Sequence, residues 1–248
     1  MRETTTDPDG FFGEEVAATY DDTPRLFAPE MVDPVLDLLA ELAGTGRALE
    51  LGVGTGRIAL PLAKRGVPVH GIELSKAMTA MLHAKPGGDE IGVTIGDFAT
   101  TRAEGSFSVA YLLRNTIMNL TTQQAQVACF QNVTAHLHAG GVFLIEVLVP
   151  GLQRLAPGQT IQDFRISETH WGLDEIDVAT QDLTSHHFTF EGDEIRRRSI
   201  PFRYVWPSEL DLMAQLAGMN LVHRWSGWKR EPFTSESRDH ISIWEKPR

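Results

Sequence analysis

The sequence predicts an α/β fold, a doubly wound and mostly parallel sheet interrupted by an antiparallel β insertion. Three observations carry this prediction. Short apolar runs alternate with amphipathic stretches up to residue 150, a glycine-rich turn follows the first of those runs, and residues 151–205 change to two-residue alternation. Strands joined by helices run parallel and bury both faces of their sheet. Alternation of period two suits antiparallel strands with one covered face.

Residues 1–13 are polar at the start and read as disordered. The stretch "DPVLDLLAELAG" puts Val35, Leu38, Leu39 and Leu42 on one helical face, with Asp33 and Pro34 where a cap and first turn belong and Gly44 where the helix stops. There follow "RALEL" as strand, "GRIALPLAKRG" as helix, "VPVHGIEL" as strand, "SKAMTAMLHAK" as helix and "IGVTIGD" as strand. "SFSVAYLL" is the fourth strand, "TQQAQVACFQNVTAHL" a helix and "GGVFLIEVLV" the fifth strand. After the insertion, with a hairpin turn at Glu191-Gly192-Asp193, comes "WPSELDLMAQLAGM". That stretch sets Leu210, Met213, Ala214 and Ala217 at helical spacing and ends at Gly218, before strands near "NLVHRWSGW" and "DHISIWEK".

Composition narrows the function. The 248 residues, 42% hydrophobic, suffice for a full core in one domain carrying an insertion. Thirty-three acidic against 22 basic side chains give a formal charge of −11, which repels nucleic-acid backbones and anionic membranes. The single Cys129 excludes an internal disulfide and a cysteine-cluster metal site, and it reads as core filler in a reducing compartment. No apolar run approaches the roughly 20 residues of a membrane span. The expectation is a cytoplasmic protein with a small-molecule substrate.

In sheets of this kind, ligands bind beyond the carboxyl ends of the strands where the strand order reverses. The turn after the first strand, "ELGVGTGR", brings Gly52, Gly54 and Gly56 there. A dinucleotide fingerprint needs its last glycine one position later, where Arg57 stands, and no G-K-[ST] phosphate loop occurs in the chain. The spelling E-L-G-x-G-T-G resembles the first motif of the class I S-adenosylmethionine (SAM) methyltransferases, here of the small-molecule, natural-product type. The resemblance covers residues 14–150 and the tail, and it implies a SAM-binding core over 14–150, completed by 206–248 to a seven-stranded Rossmann-like sheet.

The same resemblance implies the cofactor residues. Glu50, Gly52, Gly54 and Gly56 form the first motif. Glu73, with Leu74 beside it, ends the second strand, where a carboxylate can accept both ribose hydroxyls. Asp97 and Phe98 follow the third strand and take the adenine amino group and ring. Tyr20 matches a tyrosine that closes over the cofactor. Arg114 and Asn115, after the fourth strand, orient the methionine carboxylate or the substrate. That fourth loop, "LLRNTIMNL", lacks the [DN]-P-P-[YF] signature of enzymes acting on planar amino groups, and it lacks the aspartate of magnesium-dependent catechol enzymes. The expectation is therefore metal-independent transfer to an oxygen or nitrogen.

Residues 151–205 resemble substrate lids of enzymes acting on natural products, and they also suit a homodimer platform. In "TSHHFTF" His186 shares a face with Phe188 and Phe190, which makes it the candidate proton acceptor, while His187 points the other way with Ser185 and Thr189. The "IRRRS" run reads as an edge guard. Two other readings stay open at this point: a non-methylating SAM enzyme, such as a cyclase, and a SAM-binding scaffold without turnover.

Overall fold

The structure is a computed structural model that describes residues 10–192 and 194–248. In chain order, α1 (Glu14–Thr19) and α2 (Pro29–Ala43) precede β1 (Ala48–Leu51), α3 (Ala59–Lys64), β2 (Val69–Glu73), α4 (Lys76–His83), β3 (Gly92–Ile95) and β4 (Phe107–Leu112). Next come α5 (Gln123–His136), β5 (Leu137–Leu148) and the insertion strands β6 (Ile161–Ile166), β7 (His170–Asp177), β8 (Asp182–Glu191) and β9 (Glu194–Arg203). The chain ends with α6 (Pro207–Leu216), β10 (Asn220–Trp225) and β11 (Asp239–Glu245).

Seven strands form one sheet in the order β10-β11-β5-β4-β1-β2-β3. β1 pairs in parallel with both β2 and β4, so the strand order reverses at β1, as the ligand rule requires. β11 is antiparallel to β5 and to β10. The predicted strands are thus all present, and the physical cause is visible in β1, whose four residues are all buried because helices cover both faces.

The starts and stops follow local chemistry. Ser75 accepts a hydrogen bond from the Met78 amide at 3.0 Å to cap α4, and Thr122 accepts one from the Ala125 amide at 3.1 Å to cap α5. α2 begins earlier than predicted. Pro29 supplies the fixed φ of a first helical position, so Asp33 and Pro34 lie inside the helix rather than at its cap. Gly44 does end it, at φ 55°.

One hydrophobic cluster joins Phe98, Ile117, Phe130, Phe143 and Trp244 on one side of the large sheet, while Leu39, Leu62, Tyr111 and Leu144 belong to a second. Phe130 packs edge-on against both Phe143 and Trp244, at centroid distances of 5.0 and 5.4 Å. Burying each such side chain contributes about 1.5–3 kcal/mol. Cys129 is fully buried beside them, and burial raises its thiol far above the usual range, which makes it core filler.

The insertion is a second, four-stranded antiparallel sheet in the order β6-β7-β8-β9. It is rooted by Arg203, which is 5% exposed and donates to Gln126 Oε1 (2.6 Å), Gln181 Oε1 (2.9 Å) and Glu209 Oε1 (2.7 Å). β9 is an edge strand, and its arginines are partly engaged: Arg196 pairs with Glu191, and Arg197 lies over the Phe188 ring. The expected hairpin turn falls between β8 and β9 with Gly192 at φ 62°, and Asp193 lies outside the described residues.

The stretch read as disordered divides. Residues 1–9 lie outside the described residues, whereas Phe11 and Phe12 are tied to the insertion sheet and to the α4 cap. The Phe11 carbonyl accepts from Arg198 at 2.7 Å, and the Phe12 carbonyl accepts from the Ser75 hydroxyl at 2.7 Å. A polar local sequence hides such long-range anchoring.

Candidate active site

The glycine turn after β1 has positive φ at Gly52 (67°), Gly54 (55°) and Gly56 (81°), a region costly for any residue with a Cβ. Each glycine also has its own surroundings. A Cβ at Gly56 would press on Leu82 and Leu60 at 3.0 and 3.1 Å, so this glycine lets α3 and α4 close on the turn. At Gly52 it would meet Thr116 Cγ2 at 3.0 Å and the Phe98 ring at 3.9 Å. At Gly54 it would meet only the Gly52 carbonyl, at 4.0 Å, so the backbone there borders open space that a ligand can occupy.

Glu73, at the end of β2, is 8% exposed. Its Oε2 accepts from the Gly54 amide at 2.8 Å and its Oε1 from the Ser75 amide at 2.9 Å. The carboxylate thus joins the glycine turn to the start of α4. Leu74 beside it is 44% exposed. After β3, Asp97 turns the chain by accepting from the Ala99 amide at 2.8 Å; its residue is exposed, while the Phe98 ring is buried against the turn.

Arg114 and Asn115 follow β4 with φ of 53° and 64°. Left-handed conformations of non-glycine residues cost about 1–3 kcal/mol each and persist only where surrounding contacts enforce them. Here the enforcement comes from β5. The Arg114 amide donates to Glu146 Oε2 (2.9 Å), the Asn115 amide to the Glu146 carbonyl (3.1 Å), and the Leu148 amide to Asn115 Oδ1 (2.8 Å). Trp228 Nε1 holds the other Glu146 oxygen at 2.9 Å.

Glu50 is buried in β1 and accepts from the Tyr111 hydroxyl at 3.1 Å. Burial raises its carboxyl to about 8. Tyr20 is 39% exposed at the end of α1, edge-on to Phe12 at 6.3 Å.

Sequence reasoning passed over several residues that the structure gathers here. Arg57, noted only as a departure from the dinucleotide pattern, donates to the Leu26 carbonyl at 3.3 Å, and burial lowers its guanidinium while Glu50, Glu146, Arg114 and Tyr20 act on it electrostatically. Its position directly after Gly56 was the available signal. Asp21 accepts from the Thr55 hydroxyl at 2.7 Å and pairs with Lys85, which itself donates to the Thr55 carbonyl at 2.6 Å. No local pattern marks that clasp, since its members are scattered along the chain.

The insertion sheet has two different faces, set by its register. The inner face carries Ile176 and Leu183, which join the core cluster containing Phe98, Ile117 and Met118, and farther out Asp174, Ser185, Ile200, His187 and Arg198. β9 also packs on the turn Thr116–Asn119, which follows Asn115. His186 lies on the outer face. It lines a cavity of about 910 Å³ bounded by insertion residues alone, bonding Ser199 Oγ at 2.8 Å and Glu175 Oε2 at 3.2 Å. The structure therefore brings the cofactor candidates together at one sheet end and sets His186 apart from them.

An antiparallel strand, β11, set between β5 and β10 in an otherwise parallel sheet, together with a glycine turn after β1 that has no phosphate-binding lysine, puts the architecture in the Rossmann-like methyltransferase class. Residues 48–141 match the family model for a methyltransferase domain. The chain is 36% identical to the CcbJ methyltransferase of Streptomyces caelestis, with a TM-score of 0.84 over 96% of this chain and 98% of that one. It is 25% identical to a cypemycin N-terminal methyltransferase from Streptomyces sp, over 92% of this chain and 98% of that protein. The SAM-bound CalS10 of Micromonospora echinaspora, an amino pentose methyltransferase of calicheamicin biosynthesis, shares the fold at a TM-score of 0.67 and 21% identity, covering 92% of this chain and 96% of that one. The chain belongs to the S-adenosylmethionine-dependent methyltransferases, and S-adenosylmethionine is its methyl donor.

Proposed function

We propose that this enzyme methylates an amine nitrogen of a small natural-product molecule without a metal ion. What supports this reading is that β9 of the insertion sheet packs on the Thr116–Asn119 turn beside the Arg114–Asn115 corner, in a chain alignable over 92% of its length with an N-terminal methyltransferase. The N-terminal acceptor named for the cypemycin enzyme supports nitrogen over oxygen. We divide the chain into a cofactor core at 14–150 and 206–248 and an acceptor-side lid at 151–205.

The residues present fit the cofactor, because Gly54 borders open space and Glu73 stands directly beside it. When bound, S-adenosylmethionine supplies a methyl group on an electrophilic sulfonium. Glu73 accepts the ribose hydroxyls, Asp97 and Phe98 take the adenine, and Glu50, Gly52, Gly54, Gly56 and Leu74 shape the cleft. Arg57, Arg114, Asn115 and Tyr20 orient the methionine end. Holding two reactants aligned can lower the barrier by about 7–11 kcal/mol, so positioning is the protein's main task.

Among the described residues, no group of three or more His, Cys, Asp or Glu is placed to hold a metal ion. No helix among them is long and apolar enough to cross a membrane. We place the enzyme in the cytoplasm on its single buried cysteine, without nucleic-acid partners on its charge of −11, and as a homodimer through the outer lid face. The test is a panel of amino sugars, peptides with free N-termini and their hydroxyl analogues, run with excess EDTA and read by S-adenosylhomocysteine release and product mass. Stoichiometric release with an amine and an added 14 Da supports the reading. Release with hydroxyl acceptors alone, or none without magnesium, overturns it.

A further inference from the structure

The inner face of the lid carries a row of polar side chains that the cofactor site does not use. Asp174 and Ser185 lie directly opposite each other on β7 and β8, on the same face of the sheet and within reach of each other across the pair. Ser185 Oγ is also 3.4 Å from His187 Nε2, and His187 Nδ1 is 3.2 Å from His170 Nε2. The row runs outward from the buried Ser185 and Ile200 toward the start of β7. Gly172, opposite His187, has no side chain, and the Phe164 ring fills that place and packs edge-on against His187 at 5.4 Å.

Two anchors tie this face to the carboxyl end of the core sheet, one at the Arg114–Asn115 corner and one at the Glu73–Gly54 corner. Near the root, β9 packs on the turn Thr116–Asn119 that follows the Arg114–Asn115 corner. Farther out, Arg198, opposite His187, donates to the Phe11 carbonyl, and Phe12 is bonded to Ser75, next in line to Glu73 and Gly54.

We propose that Asp174 binds the ammonium form of the acceptor and takes its proton, and that Ser185, His187 and His170 return that proton to solvent. This rests on the reading of the acceptor as an amine. An ammonium nitrogen has no lone pair for attack. When Asp174 removes the proton, the N–H bond breaks, its electron pair stays on nitrogen, and the carboxylate becomes a carboxylic acid. In the return step the acid donates to Ser185, the Ser185 hydroxyl to His187 Nε2, and His187 Nδ1–H to His170 Nε2. One shift along each bond restores the carboxylate and leaves His170 as imidazolium, which loses its Nδ1 proton to water. Rotation of the Ser185 hydroxyl and exchange of the imidazole tautomers reset the row for the next cycle.

The electrostatics suit these roles. Burial raises the Asp174 carboxyl, against the lowering effect of Ser185 and of His186 on the same sheet. Burial lowers His187, and His170, Arg198, Arg165 and His186 around it add to that; burial and Arg165 lower His170. Glu15 of α1 faces Arg198 from below. Both imidazoles are therefore neutral at neutral pH and able to pass a proton.

Two measurements test the proposal on the full chain. The first needs no acceptor: imidazole nitrogens are followed by NMR against pH in wild type, Asp174→Asn and Ser185→Ala. The expected result is that the His187 titration midpoint, low in wild type, moves in both variants while melting temperature and SAM affinity hold. Unchanged midpoints in both variants would overturn the relay. The second uses the amine that releases most S-adenosylhomocysteine in the panel above. Asp174→Asn is expected to raise KM for that amine and lower kcat by roughly 10²–10⁴-fold, erasing the acid limb of the pH profile. His187→Gln is expected to lower kcat with little change in KM. A pH profile untouched by Asp174→Asn would overturn the proposal even if the NMR result stood. If only hydroxyl compounds were methylated, the ammonium role of Asp174 would fall with the amine reading, whereas the NMR result would decide the hydrogen-bonded row by itself.

Discussion

Glu73 shows how one side chain can serve both the fold and the ligand. Its carboxylate holds the Gly54 and Ser75 amides, and the sequence expects it to bind a ribose. Glu73→Ala should therefore weaken SAM binding at least tenfold by calorimetry, since a buried amide loses its acceptor together with the lost hydroxyl contacts. Gly54→Val should abolish binding, because a β-branched residue tolerates φ 55° poorly and would fill the open space beside the turn. Glu50 makes a different prediction. Its carboxyl stands at about 8 in the folded chain because of burial, against an ordinary 4.5. The folded state thus holds this proton more tightly than the unfolded one. The associated stability is complete below pH 4.5 and is lost as pH rises through about 8. Melting temperature should fall across that window in wild type, and Glu50→Gln should flatten the slope. A Glu50→Gln curve parallel to wild type would show that the charge is tolerated there.

The insertion sheet is the element on which the proposed acceptor site rests. Its root depends on Arg203, whose guanidinium joins Gln126 of α5, Gln181 ahead of β8 and Glu209 of α6. Removing one partner of a buried pair costs about 3–5 kcal/mol, because the other charge stays buried. Burial tends to raise the Glu209 carboxyl, but bonds from Arg203, Gln181 and Gln123 outweigh it and hold the carboxyl low. Arg203→Met should accordingly lower stability by that order in urea unfolding, most clearly above the usual carboxylate range where Glu209 is charged. It should also raise KM for the acceptor more than Kd for SAM. The two faces of this sheet divide the histidines. The sequence placed His186 in the pocket because its neighbours Phe188 and Phe190 are apolar, yet in the structure that face points outward, with Trp171 packed on Phe190 at 5.0 Å. Alternation fixes which residues share a face but not which face meets the core. His186→Ala should thus leave turnover within about threefold of wild type, well short of the 10²–10⁴-fold expected for loss of an acid–base group. A loss of that size would restore His186 as the proton acceptor.

At the scale of the whole molecule, the outer lid face exposes Ile161, Ile166, Trp171 and Ile195, each at least 45% accessible. With strands of 6, 8, 10 and 10 residues the sheet spans roughly 550 Å² at usual strand spacings, about two thirds of the 800 Å² per partner of a standard interface. A second copy related by a two-fold axis along the strands through the sheet centre would set β7, with Glu175 and Asp177, across from β8, and β6 across from the arginine-bearing β9. Sedimentation should show a dimer in wild type and a monomer for Trp171→Ser with Ile195→Ser. SAM affinity should be unaffected, since these residues lie away from the glycine turn. A wild-type monomer would leave this face as solvated lid.

The strand-and-helix order, the glycine turn, and the acidic residues at 73 and 97 are local signals, and the sequence by itself determined them. Hydrophobic periodicity specifies an element, and positive φ specifies glycine, wherever the chain lies in space. Family membership was legible for the same reason, because the cofactor residues sit at fixed offsets from strand ends. Tertiary structure alone decided which face of the insertion turns inward, and so whether His186 or His187 shares a face with the core-joining Ile176 and Leu183. It alone gathered Asp21, Thr55 and Lys85 into a clasp on the glycine turn, and tied Phe11 to the insertion sheet and Phe12 to the Ser75 cap of α4. Those contacts join residues far apart in the chain, and they form only when the two sheets pack, because the free energy of packing depends on three-dimensional burial rather than on sequence neighbours.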